Sequence, residues 1–411
     1  MKSKYIYQFL GFITIGLLVI ACVEEFDFES ITFKSSLVVE ATITDEYKKH
    51  EVLLSRTFDL KEEGPKPEIN SEIKILDDIG NIYNFKEADS GRYVSLNKFS
   101  AIPNTSYKLQ IKTSNGTLYE SNEIQLSSNT QEFNIYASRG INEEGVDGVT
   151  IYVNSFDATG SSKYYRYKYE ETYKIIAPYW SPLDAFGVSM LPTRDETPLH
   201  EVYTLPRTKE EQTCFNTLYS DKILQTETTL LSEDRVSDYP IRFIAKDDFI
   251  ITHRYTILID QIIQSYDSYN YYKTLNDISS SKSLFSQLQP GFVYGNLKSI
   301  TNENEQVIGF FDVASSKSKR LFFNFEDFFP TEAKPPYVVS CNLIAPDLDD
   351  RSLFGNPEFS PLIKLLMFDG LKFVDFNDTI NNPNNPYWIV KKECGDCTNL
   401  GTNIVPDFWA D

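Results

Sequence analysis

Residues 71–85, SEIKILDDIGNIYNF, carry the reading on which the fold turns. Ile73 and Ile75 alternate with Glu72 and Lys74, and past the middle Tyr83 and Phe85 alternate with Ile82 and Asn84. A period of two marks strands with one buried face. Between the two runs, Asp78-Ile79-Gly80-Asn81 supplies residues that tolerate positive φ, so the segment is expected to fold back as a hairpin. The same rhythm extends outward through SLVVEATIT, HEVLLSRT, GRYVSLN and SYKLQIKTSNGTLYESNEIQL, with a second hairpin signal at Ser114-Asn115-Gly116. Residues 31–128 therefore read as an immunoglobulin-like β-sandwich, without the Cys…Trp…Cys pattern of antibody domains. Two prolines and three acids in EEGPKPE, Glu62 to Glu68, leave little to bury and read as an exposed loop.

The remainder, 129–411, reads as a larger β-rich domain with an inserted helix. EFNIYAS and GVTIYVNSFD are strand-like. In SSKYYRYKYEETYKI, Tyr165, Tyr167 and Tyr169 fall on one face and Tyr164, Arg166 and Lys168 on the other. Tyr packed in a two-layer core is favoured there over an exposed aromatic platform. Pro and turn formers between Ala177 and Pro206 predict a long loop, with Trp180 and Phe186 as exposed aromatics for a partner or ligand. Around Gln264 to Ile278 the period changes, and Tyr266, Tyr269, Tyr272 and Leu275 are spaced for one helical face. Strands resume at FVYGNLKSI, VIGFFDVASS and KRLFFNFEDF.

At the N-terminus, Lys2 and Lys4 precede an apolar run that ends in Val19-Ile20-Ala21-Cys22, the layout of a signal peptide over residues 1–21. The final four residues resemble a bacterial lipobox, which makes Cys22 the lipidation site. Acyl chains on Cys22 tether the protein to a membrane without spanning it. Residues 22–30 form an acidic tether in which Glu24, Glu25 and Asp27 resemble an export signal to the cell surface. The 39 basic and 59 acidic residues of the whole chain give a net charge of −20, and removing the two signal lysines takes it to −22. Nucleic acid is excluded as a partner, because phosphate binding needs clustered Lys and Arg. Aromatics at 14%, chiefly 26 Tyr and 29 Phe, suit pleated β-structure.

Motifs for chemistry are scarce. His50, His200 and His253 stand alone, without zinc-ligand spacing, and no nucleophile elbow or nucleotide-binding glycine loop occurs. No cofactor or metal is expected. Asp347, Asp349 and Asp350 in PDLDDRS are oxygen donors, but the loop lacks the glycine and terminal Glu of an EF-hand. Apart from Cys22, four cysteines remain: Cys214, Cys341, Cys394 and Cys397. In an oxidising compartment an even count predicts two disulfides. Cys394 and Cys397 reaching back to Cys341 and Cys214 is preferred, with a local Cys394–Cys397 bridge as the rival.

With LLSEDRVSDYPIRFI, YDSYNYYKTLND, QPGFVYGNLKSI and above all CGDCTNLGTNIVPDFW in view, the chain resembles a Bacteroidota lipoprotein family known as domain of unknown function 4249. The resemblance implies an outer-membrane lipoprotein encoded beside a TonB-dependent receptor, and no activity or catalytic residues. The expected function is a non-enzymatic surface lipoprotein serving such a transporter by ligand capture or as a channel cap. Its expected contacts are Trp180, Phe186 and the loop from Glu62 to Glu68. A free-standing adhesin or glycan-binding module is the alternative, and an envelope hydrolase the third reading.

Overall fold

The computed structural model describes residues 35–59, 61–126, 132–190, 199–280, 293–303, 305–348, 360–378 and 384–410. The signal segment, Cys22, Glu24, Glu25, Asp27, residues 191–198, Asp349 and Asp350 lie outside them. The described chain is mainly β, arranged in several sheets.

Strands β1 (Leu37–Thr44), β2 (Glu51–Arg56), β3 (Lys66–Pro67), β4 (Glu72–Asp77), β5 (Ile82–Asp89), β6 (Arg92–Ser95), β7 (Ser106–Lys112), β8 (Leu118–Ser121) and β9 (Ile124–Gln125) form the N-terminal unit. Their contacts with one another are antiparallel. The turn between β4 and β5 works as its residues dictate. Gly80 adopts φ 97°, and the Asp77 carboxylate accepts from the backbone and side-chain nitrogens of Asn81, both at 2.7 Å. Alternate residues then enter one core, where Leu37, Val39 and Val52 of one strand set meet Ile73, Ile75, Tyr107 and Leu109 of another. Each such fully buried side chain contributes about 1.5–3 kcal/mol over its exposed state.

The second region contributes β10 (Phe133–Ile141), β11 (Asp147–Asp157), β12 (Tyr164–Ile176), β13 (Leu183–Met190), β14 (Leu199–Pro206), β15 (Thr213–Tyr219), β16 (Leu224–Glu227), β17 (Asp234–Ala245) and β18 (Tyr255–Ile263). After β18 come helix α1 (Tyr266–Ser280), β19 (Leu297–Ser299), β20 (Val307–Phe323), helix α2 (Pro361–Met367), β21 (Lys372–Phe376) and β22 (Tyr387–Val390). Tyr165 and Tyr167 are buried in a core shared by the β12–β18 face and the β10-β11-β17 sheet. The tyrosine row is thus core, and a platform reading of it fails.

β20 joins the two regions. Its first half runs parallel to β1, from Leu37 beside Val307 to Thr44 beside Ala314. Its second half pairs antiparallel with β18, from Ser315 beside Ile263 to Phe323 beside Tyr255. No Gly or Pro interrupts the run after Gly309, so the two strands read at VIGFFDVASS and KRLFF are one. At Gly309 (φ 152°) a Cβ would lie 2.3 Å from the Val39 carbonyl oxygen, so the close approach of β1 requires glycine.

Four expectations change. The N-terminal core does not close at residue 128, because Leu297, Val307, Phe311 and Val313 belong to it. β19 and β20 return from far along the chain to pair with β8 and β1. The stretch from Ala177 to Pro206 is no featureless loop, since β13 and β14 pair along their full length from Leu183–Pro206 to Met190–Leu199. On α1 the buried face carries Ser268, Tyr269 and Tyr271, while Tyr266 is 58% exposed, so the apolar face is rotated from the expected one. The segment from Glu62 to Glu68 is exposed through most of its length, but Glu68 turns inward to Arg56 at 2.6 Å and β3 pairs with β2.

Candidate functional site

The β13–β14 hairpin presents two unlike faces. Ala185 and, on its flanks, Leu183 and Val202 pack onto Leu362 and Leu366 of α2, Phe373 of β21 and Ile389 of β22. Gly187 seats the hairpin, because a Cβ there would lie 2.5 Å from the Ile363 side chain. The alternating positions face away from that core. Phe186 stacks on Tyr203 with ring centroids 6.1 Å apart, and Tyr203, Leu205 and Val188 are exposed. Arg207 holds the base of the hairpin by donating to the carbonyls of Leu183 (3.3 Å) and Gly395 (3.1 Å) and to the Glu211 carboxylate (2.7 Å). The result is an aromatic and aliphatic face on a rigid support. Trp180 is not part of it. It packs against the Tyr165–Tyr167 core, and its buried indole N–H has no acceptor among the described residues. Its expected role as an exposed aromatic is corrected, because the chain turns Trp180 inward before β13 begins.

The cysteines form two bridges, Cys214–Cys397 and Cys341–Cys394, each with Cα atoms 5.7 Å apart. Cys394 and Cys397 both reach back, and a local bridge between them is absent. The first ties the terminal segment to β15, and the second ties it to the segment around Cys341. The tail then continues along that strand, where Phe215 and Thr402 exchange backbone hydrogen bonds at 2.8 and 2.9 Å. Trp409 ends against Phe215 (4.7 Å) and Phe322 (6.2 Å), and the Arg320 guanidinium lies 3.6 Å above the Phe408 ring. The Cys-x-x-Cys is a structural staple that straps the terminal residues over the sheet's outer face. Among the described residues no cluster of His, Cys, Asp and Glu is grouped to hold a metal ion. Asp347 instead accepts from the Asn385 amide at 2.7 Å.

Bordered by Tyr272 of α1, the same face carries a polar recess of about 370 Å3. Glu40, Thr42 and Thr44 come from β1, Lys168 from β12, Asp260 from β18 and Tyr272 from α1. Beneath it the Arg166 guanidinium stacks at 4.0 Å on the Tyr272 ring and donates to the Thr42 hydroxyl at 3.3 Å. Burial raises the pKa of Asp260 despite the hydrogen bond it accepts from Ser318 at 2.6 Å. Desolvation, with Arg166 close by, lowers that of Lys168, although the end of its side chain reaches solvent. His50 borders the recess, but its ring nitrogen is held to the Phe99 carbonyl at 3.0 Å and burial brings its pKa down to about 4. The arrangement offers polar and charged contacts to a small molecule. The sequence reading placed Lys168 on a strand face and Tyr272 on a helix face but did not group any of these residues into a site. The local signals are the polar alternations Glu40, Thr42, Thr44 in LVVEATIT and Arg166, Lys168 in β12, which any solvent-facing strand also shows.

No curated protein matches the chain. Among solved structures, a DUF4785 family protein from Legionella pneumophila subsp. pneumophila str. Philadelphia 1 is similar over 50% of this chain and 56% of that one, at 10% identity and a TM-score of 0.17. The chain thus spans little more than half of that protein's length, and a likeness at that TM-score carries no argument. The family described as domain of unknown function (DUF4249) matches residues 23–320, from the N-terminal unit through most of β20, and stops short of Cys341, Cys394 and Cys397. With well over half of its length matched, the chain belongs to the DUF4249 family.

Proposed function

We propose that the protein is a non-enzymatic, lipid-anchored lipoprotein of the outer membrane, displayed at the cell surface as the accessory partner of a TonB-dependent transporter. The observation that carries this reading is the outward face of the β13–β14 hairpin, where Phe186, Val188, Tyr203 and Leu205 sit on a platform braced by α2 and Arg207. Aromatic side chains on a rigid support are favoured at the centres of protein interfaces. Their place in the reading passes from Trp180 and Phe186 to Phe186 and Tyr203. The lipobox at Cys22 and the acids Glu24, Glu25 and Asp27 support the address. An anchor confines both proteins to one membrane and raises their effective concentration, so a modest interface suffices. Within the same reading the N-terminal unit is an immunoglobulin-like sandwich and α1 an insertion into the second β-rich domain. Alternating burial along β4 and β7 supports the first, and the position of α1 between β18 and β19 supports the second.

Affinity purification of the tagged full chain from detergent-solubilised membranes tests the proposal. The expected result is recovery of a TonB-dependent receptor near one-to-one, lost in the Phe186→Glu/Tyr203→Glu variant. Recovery of the lipoprotein alone, under conditions that preserve other outer-membrane complexes, overturns it in favour of an adhesin or glycan-binding module.

A further inference from the structure

The recess on the outer face of the sheet is built by strands far apart in sequence, and it lies where β20 joins β1 of the N-terminal unit to β18 and, beyond it, β12 of the second region. Its volume of about 370 Å3 is within the range of small-molecule sites, which form preferentially where separate units meet. Most charged groups around it are already engaged. Lys48 pairs with Glu46, Glu51 with Arg92, and Asp260 accepts from Ser318. Glu40, Lys49 and Lys168 are not: none has an ion pair or hydrogen bond among the described residues, and of the two lysines it is Lys168 that feels the charge of Glu40.

Thr44 adds an independent sign. The residue is 4% exposed, it lines the recess, and its hydroxyl has no hydrogen-bond partner. An unsatisfied buried hydroxyl carries a desolvation penalty, which a polar ligand atom at that place offsets. Two free cations, a free anion and an unpartnered hydroxyl around one cavity describe the complement of a ligand that carries both charges.

We infer that the recess binds a small zwitterion, an amino acid or dipeptide, with its carboxylate on Lys168, its ammonium on Glu40 and a polar atom against Thr44. Lone charges explain the choice. A simple anion leaves Glu40 unpaired, and a neutral sugar leaves every charge so. Desolvation already disfavours the bare Lys168 ammonium, and a bound carboxylate relieves that penalty. Because these residues are distinct from the hairpin, the inference stands apart from the transporter proposal.

Calorimetric titration of the detergent-purified full chain with glycine, Ala-Ala, N-acetyl-Ala-Ala, Ala-Ala amide and glucuronate tests it. Glycine or Ala-Ala is expected to bind with Kd on the order of 0.1–1 mM, the tighter of the two naming the source. Capping either terminus of Ala-Ala, or substituting Lys168→Met or Glu40→Gln, should weaken binding at least about tenfold, roughly 1.4 kcal/mol. Thr44→Val should weaken it less, and Lys168→Arg should retain it. Circular dichroism of each variant separates lost binding from lost folding. No heat from glycine or Ala-Ala up to about 10 mM overturns the inference, a weaker affinity than most small-ligand sites show. Glucuronate binding as tightly as Ala-Ala, or folded Lys168→Met and Glu40→Gln proteins binding like wild type, overturns it as well.

Discussion

Removing the Cys214–Cys397 bridge by the paired substitution Cys214→Ala/Cys397→Ala should destabilise the protein more than removing Cys341–Cys394 does. Both residues are fully buried, so alanine is the right replacement; serine would bury two hydroxyls in need of partners. A cross-link stabilises chiefly by restricting the unfolded chain, and the effect grows with the logarithm of the loop it closes. The separation of 183 residues corresponds to about 5 kcal/mol in that account, and the 53 residues of Cys341–Cys394 to about 4 kcal/mol. Keeping the second bridge shortens the larger loop only by the span it bypasses, which matters little on a logarithmic scale. Measured losses typically fall to about 2–4 kcal/mol, so the expected cost is of that order, with Cys214→Ala/Cys397→Ala the costlier pair by about 1 kcal/mol. Urea denaturation of the full chain, followed by tryptophan fluorescence, reads this directly, since Trp180 and Trp409 both lie in segments joined to the staple. The midpoint should fall, and the slope should rise because an unlinked chain exposes more surface when it unfolds. A midpoint unchanged in Cys214→Ala/Cys397→Ala, or a larger fall for Cys341→Ala/Cys394→Ala, would refute the loop-entropy account of the staple.

Trp409→Ala removes the side chain that packs on Phe215 and Phe322; being only half-buried, it should cost roughly 2 kcal/mol, about half of a full aromatic truncation. A melting temperature equal to wild type would show that the strap contributes nothing. Burial brings both His50 and His253 down to about 4 from the ordinary value of 6.5. Below pH 6.5 the unfolded chain takes up these protons first, so stability is full above 6.5 and declines as pH falls toward 4, and His50→Gln should lessen the decline. Urea midpoints that stay level across that window would contradict the assignment. Cys22→Ala should abolish partitioning into a detergent phase, and alanine at Glu24, Glu25 and Asp27 should keep the protein from added protease on intact cells; unaltered partitioning or digestion tells against each.

The parts of this protein that the sequence determined by itself are those whose cause is local. The β4–β5 hairpin follows from alternation plus an Asp-Ile-Gly-Asn turn, and the Asp77 hydrogen bonds and positive φ at Gly80 are the physics that turn demands. The burial of Tyr165 and Tyr167 was legible too, since a row of alternating aromatics has no cheaper place than a core. The β13–β14 hairpin escaped notice because its inward positions are filled by Ala185 and Gly187, small residues that carry little hydrophobic signal and are there to let α2 approach. Likewise the face of α1 depends on which strands lie beneath it, and Tyr271 is buried because Phe310 of β20 receives it at 5.6 Å. Only the tertiary structure decided where β20 goes: a strand's own residues specify that it pairs, while its partners, β1 on one half and β18 on the other, are chosen by contacts more than fifty residues away along the chain. The recess exists for the same reason. Glu40, Lys168 and Asp260 are ordinary polar positions on three separate strands, and they become one site only when β20 brings the N-terminal unit and the second region into a single sheet.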